Sequence, residues 1–324
     1  MKKCIDLQEE AFRAVYSNRA SNAKNSFLYM DKNKGYIKLM GCSLEASSHP
    51  DSSDVLMVKA IDAFERNPTQ YGLPVVLGSM TLFDCSNGLP ICFMDAAYTT
   101  ALRTGAAGGL ATKLGARRDS RSVGVIGSGS TAGFTTKAII ELMPQIERVK
   151  VFSRNPHHRS NLCKKISTRD GPRCEPVDSA EEALKDVDII VTGTNSSTPI
   201  LFPNMITKGQ HINAMGVKTE IDPKVFGMSK IIADSTEVAC NDGKTSVAIK
   251  AHVVTQSDVY SDIGEILEGK KAGRNSPDDI TLFDSSGVAA QDAVLAGFLY
   301  QEARRKKVGT KVSMFEGLSE LLMP

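Results

Sequence analysis

The chain has 324 residues and a mass of 34.9 kDa, with 39 Lys and Arg against 37 Asp and Glu, a net charge of +2. A hydrophobic share of 41% beside 23% charged excludes disorder as the main state and fits two domains of roughly 100–200 residues each. So small a net charge offers no field to draw in nucleic acid or an anionic membrane, so the expected partner is a small molecule.

In chain order, residues 6–16 place Leu7, Ala11, Phe12 and Val15 on one face at helical spacing. Strand-like pieces follow at 27–29, 36–40, 55–61, 75–83 and 90–94, separated by turn signals such as Lys34-Gly35 and Asn87-Gly88. Residues 99–115 read as a helix rich in Ala and Gly, whose small side chains admit a ligand or another element close to its backbone. A charged connector at 116–121 then opens a different rhythm. Apolar runs at 123–126, 149–152, 187–192, 212–215 and 230–233 alternate with helical stretches after Ser130 and from about His158. That alternation predicts βαβ units and a parallel sheet covered on both faces, an α/β fold. A last strand at 280–283 and a helix at 292–306 complete the pattern. The final helix is expected to return to the first part of the chain. The division is therefore a domain of 1–116 plus 293–324 around a domain of 117–292.

Seven cysteines, an odd number without a CxxC pair, argue against a disulfide framework or a zinc ribbon and for free thiols in a reducing cytoplasm. The five histidines lack metal-ligand spacing, so no metal is expected, and His157-His158 reads as solvated surface. The N-terminal lysines have no apolar core behind them, which argues against a signal peptide, and no apolar run reaches membrane-spanning length.

The strongest local motif is Gly127-x-Gly129-x-x-Ala132, between an apolar strand and a helix. This is the dinucleotide fingerprint. Gly127 allows a tight turn, Gly129 lets a pyrophosphate touch the backbone, and Ala132 packs the helix on the sheet. The helix start, with Ser130 and Thr131, offers free N–H groups to the anion. The second strand ends in Ser153-Arg154-Asn155, where a site selective for NAD would carry an acid for the ribose hydroxyls. A guanidinium pairs with a 2′-phosphate and Ser or Asn donates to it, so NADP(H) is favoured over NAD(H).

Taken together, Val58-Lys59, Thr100-Ala-Leu-Arg-Thr104, the 127–132 turn, Ile212-Asn-Ala-Met-Gly216, and 279–287 followed by Gln291-Asp292 resemble the ornithine cyclodeaminase/mu-crystallin family over nearly the whole length. The resemblance implies a homodimer with a Rossmann domain and a second, discontinuous α/β domain that binds substrate and carries the dimer contact. It implies that Lys59 is the active-site lysine, able to protonate or polarise a C=N bond as hydride arrives. It also implies that Arg103 holds a substrate carboxylate, for which a planar guanidinium is suited. Arg103 lies in a stretch otherwise free of charge but for Asp95, where an unpaired arginine is costly to bury.

By the same resemblance, Thr192 and Thr194 lie along the adenosine and ribose, Met215 near the nicotinamide ribose, Ser285 near the carboxamide, and Thr104 near phosphate. Three departures stand out. The family's second carboxylate-binding arginine is replaced, in a loose match, by Lys24. The catalytic aspartate loop of cyclodeaminases is shortened, leaving Glu220 and Asp222 to cap or begin the next helix. The N-terminus reads as short by a strand.

The activity these features imply is an NADPH-dependent reduction of a cyclic ketimine carboxylate, Δ1-pyrroline-2-carboxylate or Δ1-piperideine-2-carboxylate, to proline or pipecolate. The rivals are an alanine-type dehydrogenase, an ornithine cyclodeaminase, an opine- or siderophore-type dehydrogenase with a larger substrate, and a cofactor-holding binding protein like mu-crystallin.

Overall fold

Two sheets follow from the two rhythms of the sequence. The computed structural model describes residues 1–48, 53–168 and 171–313. The end of the expected 293–324 segment, from 314 onward, lies outside them. In the first third, β1 (Ala20–Asn22), β2 (Ser26–Met30), β3 (Gly35–Leu44), β4 (Val55–Phe64), β5 (Gly78–Phe83) and β6 (Pro90–Asp95) form an antiparallel sheet. Its path is β1-β3-β4-β5-β6, with β2 paired to β3. On β4, Val55, Met57, Lys59 and Ile61 face inward and are buried, while Leu56 and Val58 face outward and are exposed.

The second sheet holds β7 (Ser122–Ile126), β8 (Arg148–Phe152), β9 (Arg173–Pro176), β10 (Ile189–Thr192), β11 (His211–Ala214), β12 (Lys230–Ala233), β13 (Val259–Asp262) and β14 (Thr281–Asp284). All its pairings are parallel, in the order β13-β12-β14-β11-β10-β7-β8-β9. β7, β10, β11 and β14 are buried along their whole length, as strands covered on both faces must be. The strand order reverses between β7 and β10, and a ligand crevice is expected outside the strand ends there.

The helix Ala97–Gly115 joins the two sheets. Its small residues let the helix Ser130–Leu142 approach its backbone: a Cβ added at Gly105 would lie 2.4 Å from Phe134 Cβ, and one at Gly109 2.4 Å from Ala138 Cβ. The helix Ala289–Lys306 packs on the N-terminal helix Lys2–Tyr16 and on β3 and β4, so the chain's end returns to the first sheet. Short β1, β9 and β13 are additions to the sequence expectation. All seven cysteines are free thiols. Among the described residues no helix is long and apolar enough to cross a membrane.

Candidate functional site

A cleft of about 2190 Å³ runs between the two sheets, larger than the roughly 300–1,000 Å³ that encloses a drug-sized ligand. Its floor at one end is the turn after β7. Gly127 sits at φ +118°, and a Cβ there would lie 2.3 Å from the Gly193 carbonyl oxygen, so only glycine fits. A Cβ at Gly129 would meet nothing within 4 Å, because that face opens on the cleft. Gly129 caps the helix Ser130–Leu142 without any side-chain bond to its first N–H groups. Those donors are free for an anion. Ala132 is buried, 3.1 Å from where a Gly193 Cβ would stand, which holds helix and sheet close. Ser130 and Thr131 line the cleft. The residues fit a dinucleotide pyrophosphate.

Ser153, Arg154 and Asn155 line the cleft at the end of β8, with no carboxylate among residues 153–158. Arg154 is exposed. The Ser153 hydroxyl accepts from Ser128 at 3.0 Å, tying the strand end to the glycine turn. Asn155 has a second duty: its side-chain oxygen caps the helix Pro156–Ile166 by accepting from the N–H groups of His157 and His158.

Glu220 departs from expectation. It does not cap a helix; fully buried, it accepts from Thr192 Oγ1, Thr194 N, Thr194 Oγ1 and Gly216 N, each at 2.8 Å. One carboxylate thus organises the loops after β10 and β11. Thr192 is buried, spends its hydroxyl on Glu220 and does not line the cleft. Thr194, Met215, Ser285 and Thr104 do line it. Asp222 caps the helix Pro223–Gly227, as the sequence implied.

The other end of the cleft is built from charge. Arg103, on the helix Ala97–Gly115, lines the cleft with its side chain only 6% exposed. Its Nε donates to Asp292 Oδ1 at 3.1 Å and its NH1 to Gln291 Oε1 at 3.1 Å. NH2 lies beside Gly287, where an added Cβ would stand 3.2 Å away. Lys59, on the inner face of β4, donates to the same Asp292 oxygen at 2.7 Å. It is fully buried and, unlike Arg103, does not line the cleft.

Burial pushes the Lys59 ammonium down to about 8; Asp292 opposes that and Arg103 adds to it. Burial alone would raise the Asp292 carboxyl, but the charges and hydrogen bonds of Arg103 and Lys59 outweigh it and hold it below the usual range. Lys24 is exposed between β1 and β2 and does not line the cleft. Asp292 and Gln291 are the site residues to which sequence reasoning assigned no role. Their signal was a polar pair opening an otherwise apolar helix, Ala289 to Gly297. No group of three His, Cys, Asp or Glu able to hold a metal occurs among the described residues.

A family model described as the ornithine cyclodeaminase/mu-crystallin family matches residues 1–307. The Δ1-pyrroline-2-carboxylate reductase of Bacillus thuringiensis subsp. konkukian is 31% identical over 96% of this chain and 97% of its own. A Thermococcus litoralis Δ1-pyrroline-2-carboxylate reductase, solved with NADH and L-proline, superposes with a TM-score of 0.90 at 34% identity, covering 96% of each chain. An archaeal alanine dehydrogenase dimer solved with NAD superposes at 0.88 and 34% identity, covering 97% of this chain and 95% of that one.

Proposed function

The chain belongs to the ornithine cyclodeaminase/mu-crystallin family, and from that premise we propose that it reduces a cyclic ketimine carboxylate, of the Δ1-pyrroline-2-carboxylate or Δ1-piperideine-2-carboxylate kind, with NADPH. The observation that carries this reading is the Lys59–Asp292–Arg103 cluster at the end of the cleft that also holds the glycine turn. Residues 117–292 are read as the cofactor-binding part and the remainder as the substrate-binding part.

The outer guanidinium edge of Arg103, not committed to Asp292 or Gln291, takes the substrate carboxylate. The 127–132 turn would hold a nicotinamide dinucleotide, whose chemistry, when bound, would be hydride donation to C2 of the C=N bond. Lys59 supplies the proton that the nitrogen needs to become an amine, through water or by swinging its stem from Asp292; its depressed affinity suits proton donation near neutrality. Asp292 keeps the two cations together and oriented. Glu220, with four hydrogen bonds to its own loops, is not free to act as a base, which disfavours cyclodeamination.

The preference for NADPH rests on Ser153-Arg154-Asn155, although the two related structures were solved with NADH and NAD. A second copy of the chain is placed on the outer face of the antiparallel sheet. There Leu28 (59%), Val58 (48%) and Phe93 (76%) are exposed, and the alanine dehydrogenase relative is a dimer. The free thiols suit a reducing, cytoplasmic compartment.

The test is loss of nicotinamide absorbance when purified protein receives either cyclic imine with NADPH or NADH. No oxidation with either imine ends this reading. Turnover of pyruvate only with ammonia makes it an alanine dehydrogenase, the reading favoured by the alanine dehydrogenase relative. Ammonia release from L-ornithine without net absorbance change makes it a cyclodeaminase.

A further inference from the structure

Two cysteines outside the cleft's lining face each other. Cys163 is buried on the helix Pro156–Ile166, and Cys174 is half-buried on the edge strand β9. They lie 11 residues apart in the chain. Their sulfurs stand 2.8 Å apart, with the Cys174 thiol donating to Cys163 Sγ. No other two cysteines are in contact among the described residues.

The donated hydrogen bond favours a thiolate on Cys163 and pushes its pKa down, against burial. The other thiols outside the pair are all pushed up by burial, Cys4 and Cys42 to about 12. The thiolate is the form that reacts with oxidants. The pair is also tied to the cofactor end of the cleft. Arg159 stands one helical turn before Cys163, on the same face. Its NH1 donates to the Ser153 carbonyl at 3.1 Å. Cys174 pairs with Val149 on β8, the strand that leads into Ser153 and Arg154. A bond between the two sulfurs would therefore hold helix, edge strand and the end of β8 in one frame.

We propose that Cys163 and Cys174 are a redox-active dithiol, oxidised by a peroxide to a disulfide that staples the helix Pro156–Ile166 to β9 and steadies the strand end carrying Ser153 and Arg154. The Cys163 thiolate attacks one peroxide oxygen, breaks the O–O bond and becomes a sulfenic acid, and the leaving oxygen departs as water. The Cys174 sulfur then attacks the sulfenic sulfur, forming the S–S bond and releasing the second water. Two thiols are oxidised and one hydrogen peroxide is reduced to two waters. The sulfurs close from 2.8 Å to about 2.05 Å, so neither element has to leave its place. In a reducing compartment the dithiol is the resting form and the disulfide a transient one. None of this depends on which substrate the cleft takes.

The experiment treats the purified full chain with dilute hydrogen peroxide, counts free thiols over time and maps the cysteine peptides by mass spectrometry. Wild type is expected to lose the Cys163 and Cys174 thiols together, at least about tenfold faster than the exposed thiol of Cys85. Their peptides should be recovered joined, and dithiothreitol should release them. Cys163→Ser and Cys174→Ser should each lose the fast phase, while Cys85→Ser keeps it. Amide exchange across residues 148–159 should slow at least about threefold in the oxidised form. Oxidation of Cys85 ahead of the pair in wild type overturns the proposal without recourse to a variant. So does a fast phase that yields no joined peptide, or one that survives in Cys163→Ser. A joined pair with unchanged exchange across residues 148–159 overturns the coupling to the cofactor end.

Discussion

Between Gly127 and Ala132 the cleft presents backbone, whereas between Arg103 and Asp292 it presents charge. The first end is local: six consecutive residues, a positive φ, and a helix start with free N–H groups. The second is assembled from afar, since Lys59 and Arg103 reach Asp292 across 233 and 189 residues. A backbone site tolerates change wherever space remains and fails by steric block. A buried ion cluster has no spare member, because removing one leaves the others charged in a poor solvent. The two ends should therefore break differently.

The largest effect is expected at Asp292. Asp292→Ala would leave Lys59 and Arg103 buried without their shared carboxylate, at a cost of about 3–5 kcal/mol in unfolding free energy. Asp292→Asn keeps the shape and sharpens the point. The carboxylate raises the Lys59 affinity for its proton, so its loss moves Lys59 further below about 8. Activity that needs protonated Lys59 falls as pH rises through that value. In the wild type the alkaline limb of kcat/KM is expected near pH 8, and in Asp292→Asn at lower pH. An unmoved limb would detach Lys59 from the proton step.

At the backbone end the expected loss is smaller and cleaner. Gly129→Ala places a methyl where the fold has nothing within 4 Å, so thermal stability should stay within about 0.5 kcal/mol of wild type while affinity for the dinucleotide drops at least about tenfold. Gly127→Ala, whose Cβ would strike the Gly193 carbonyl at φ +118°, should lose both. Equal behaviour of the two variants, read by melting and by fluorescence titration, would mean that the open and the packed glycine do not differ in function.

The same contrast explains what the sequence disclosed. The turn is legible because its parts are neighbours and each glycine has a steric reason. The parallel strands are legible because burial on both faces writes continuous apolar runs such as Val123 to Ile126. Asp292 is not, because its meaning lies in two residues far along the chain, and an acid at a helix start has an ordinary reading as a dipole partner. Glu220 is hidden likewise: only the return of the loop brings it under Thr192 and Thr194. Lys24 drew attention by its place in a motif, and motif spacing alone fixes no distance from the cleft. The short strands β1 and β13 carry polar residues and, at Ile231/Ile232 opposite β13, a register irregularity, so alternation does not announce them.

The smallest effect is expected at Arg154, and it tests how far the backbone end relies on side chains at all. Arg154 is exposed and belongs to a strand end already organised by Ser153 and by the Asn155 cap. Its removal should therefore leave the fold and the pyrophosphate cradle intact. What it can change is the discrimination between a ribose with a 2′-phosphate and one without. Arg154→Ser should lower kcat/KM with NADPH about tenfold and leave NADH nearly untouched. Arg154→Glu should go further, since a carboxylate repels the phosphate and accepts from the free ribose hydroxyls. If both cofactors respond equally, the cofactor end reads only the pyrophosphate shared by NAD(H) and NADP(H), and its selectivity is set by backbone geometry alone.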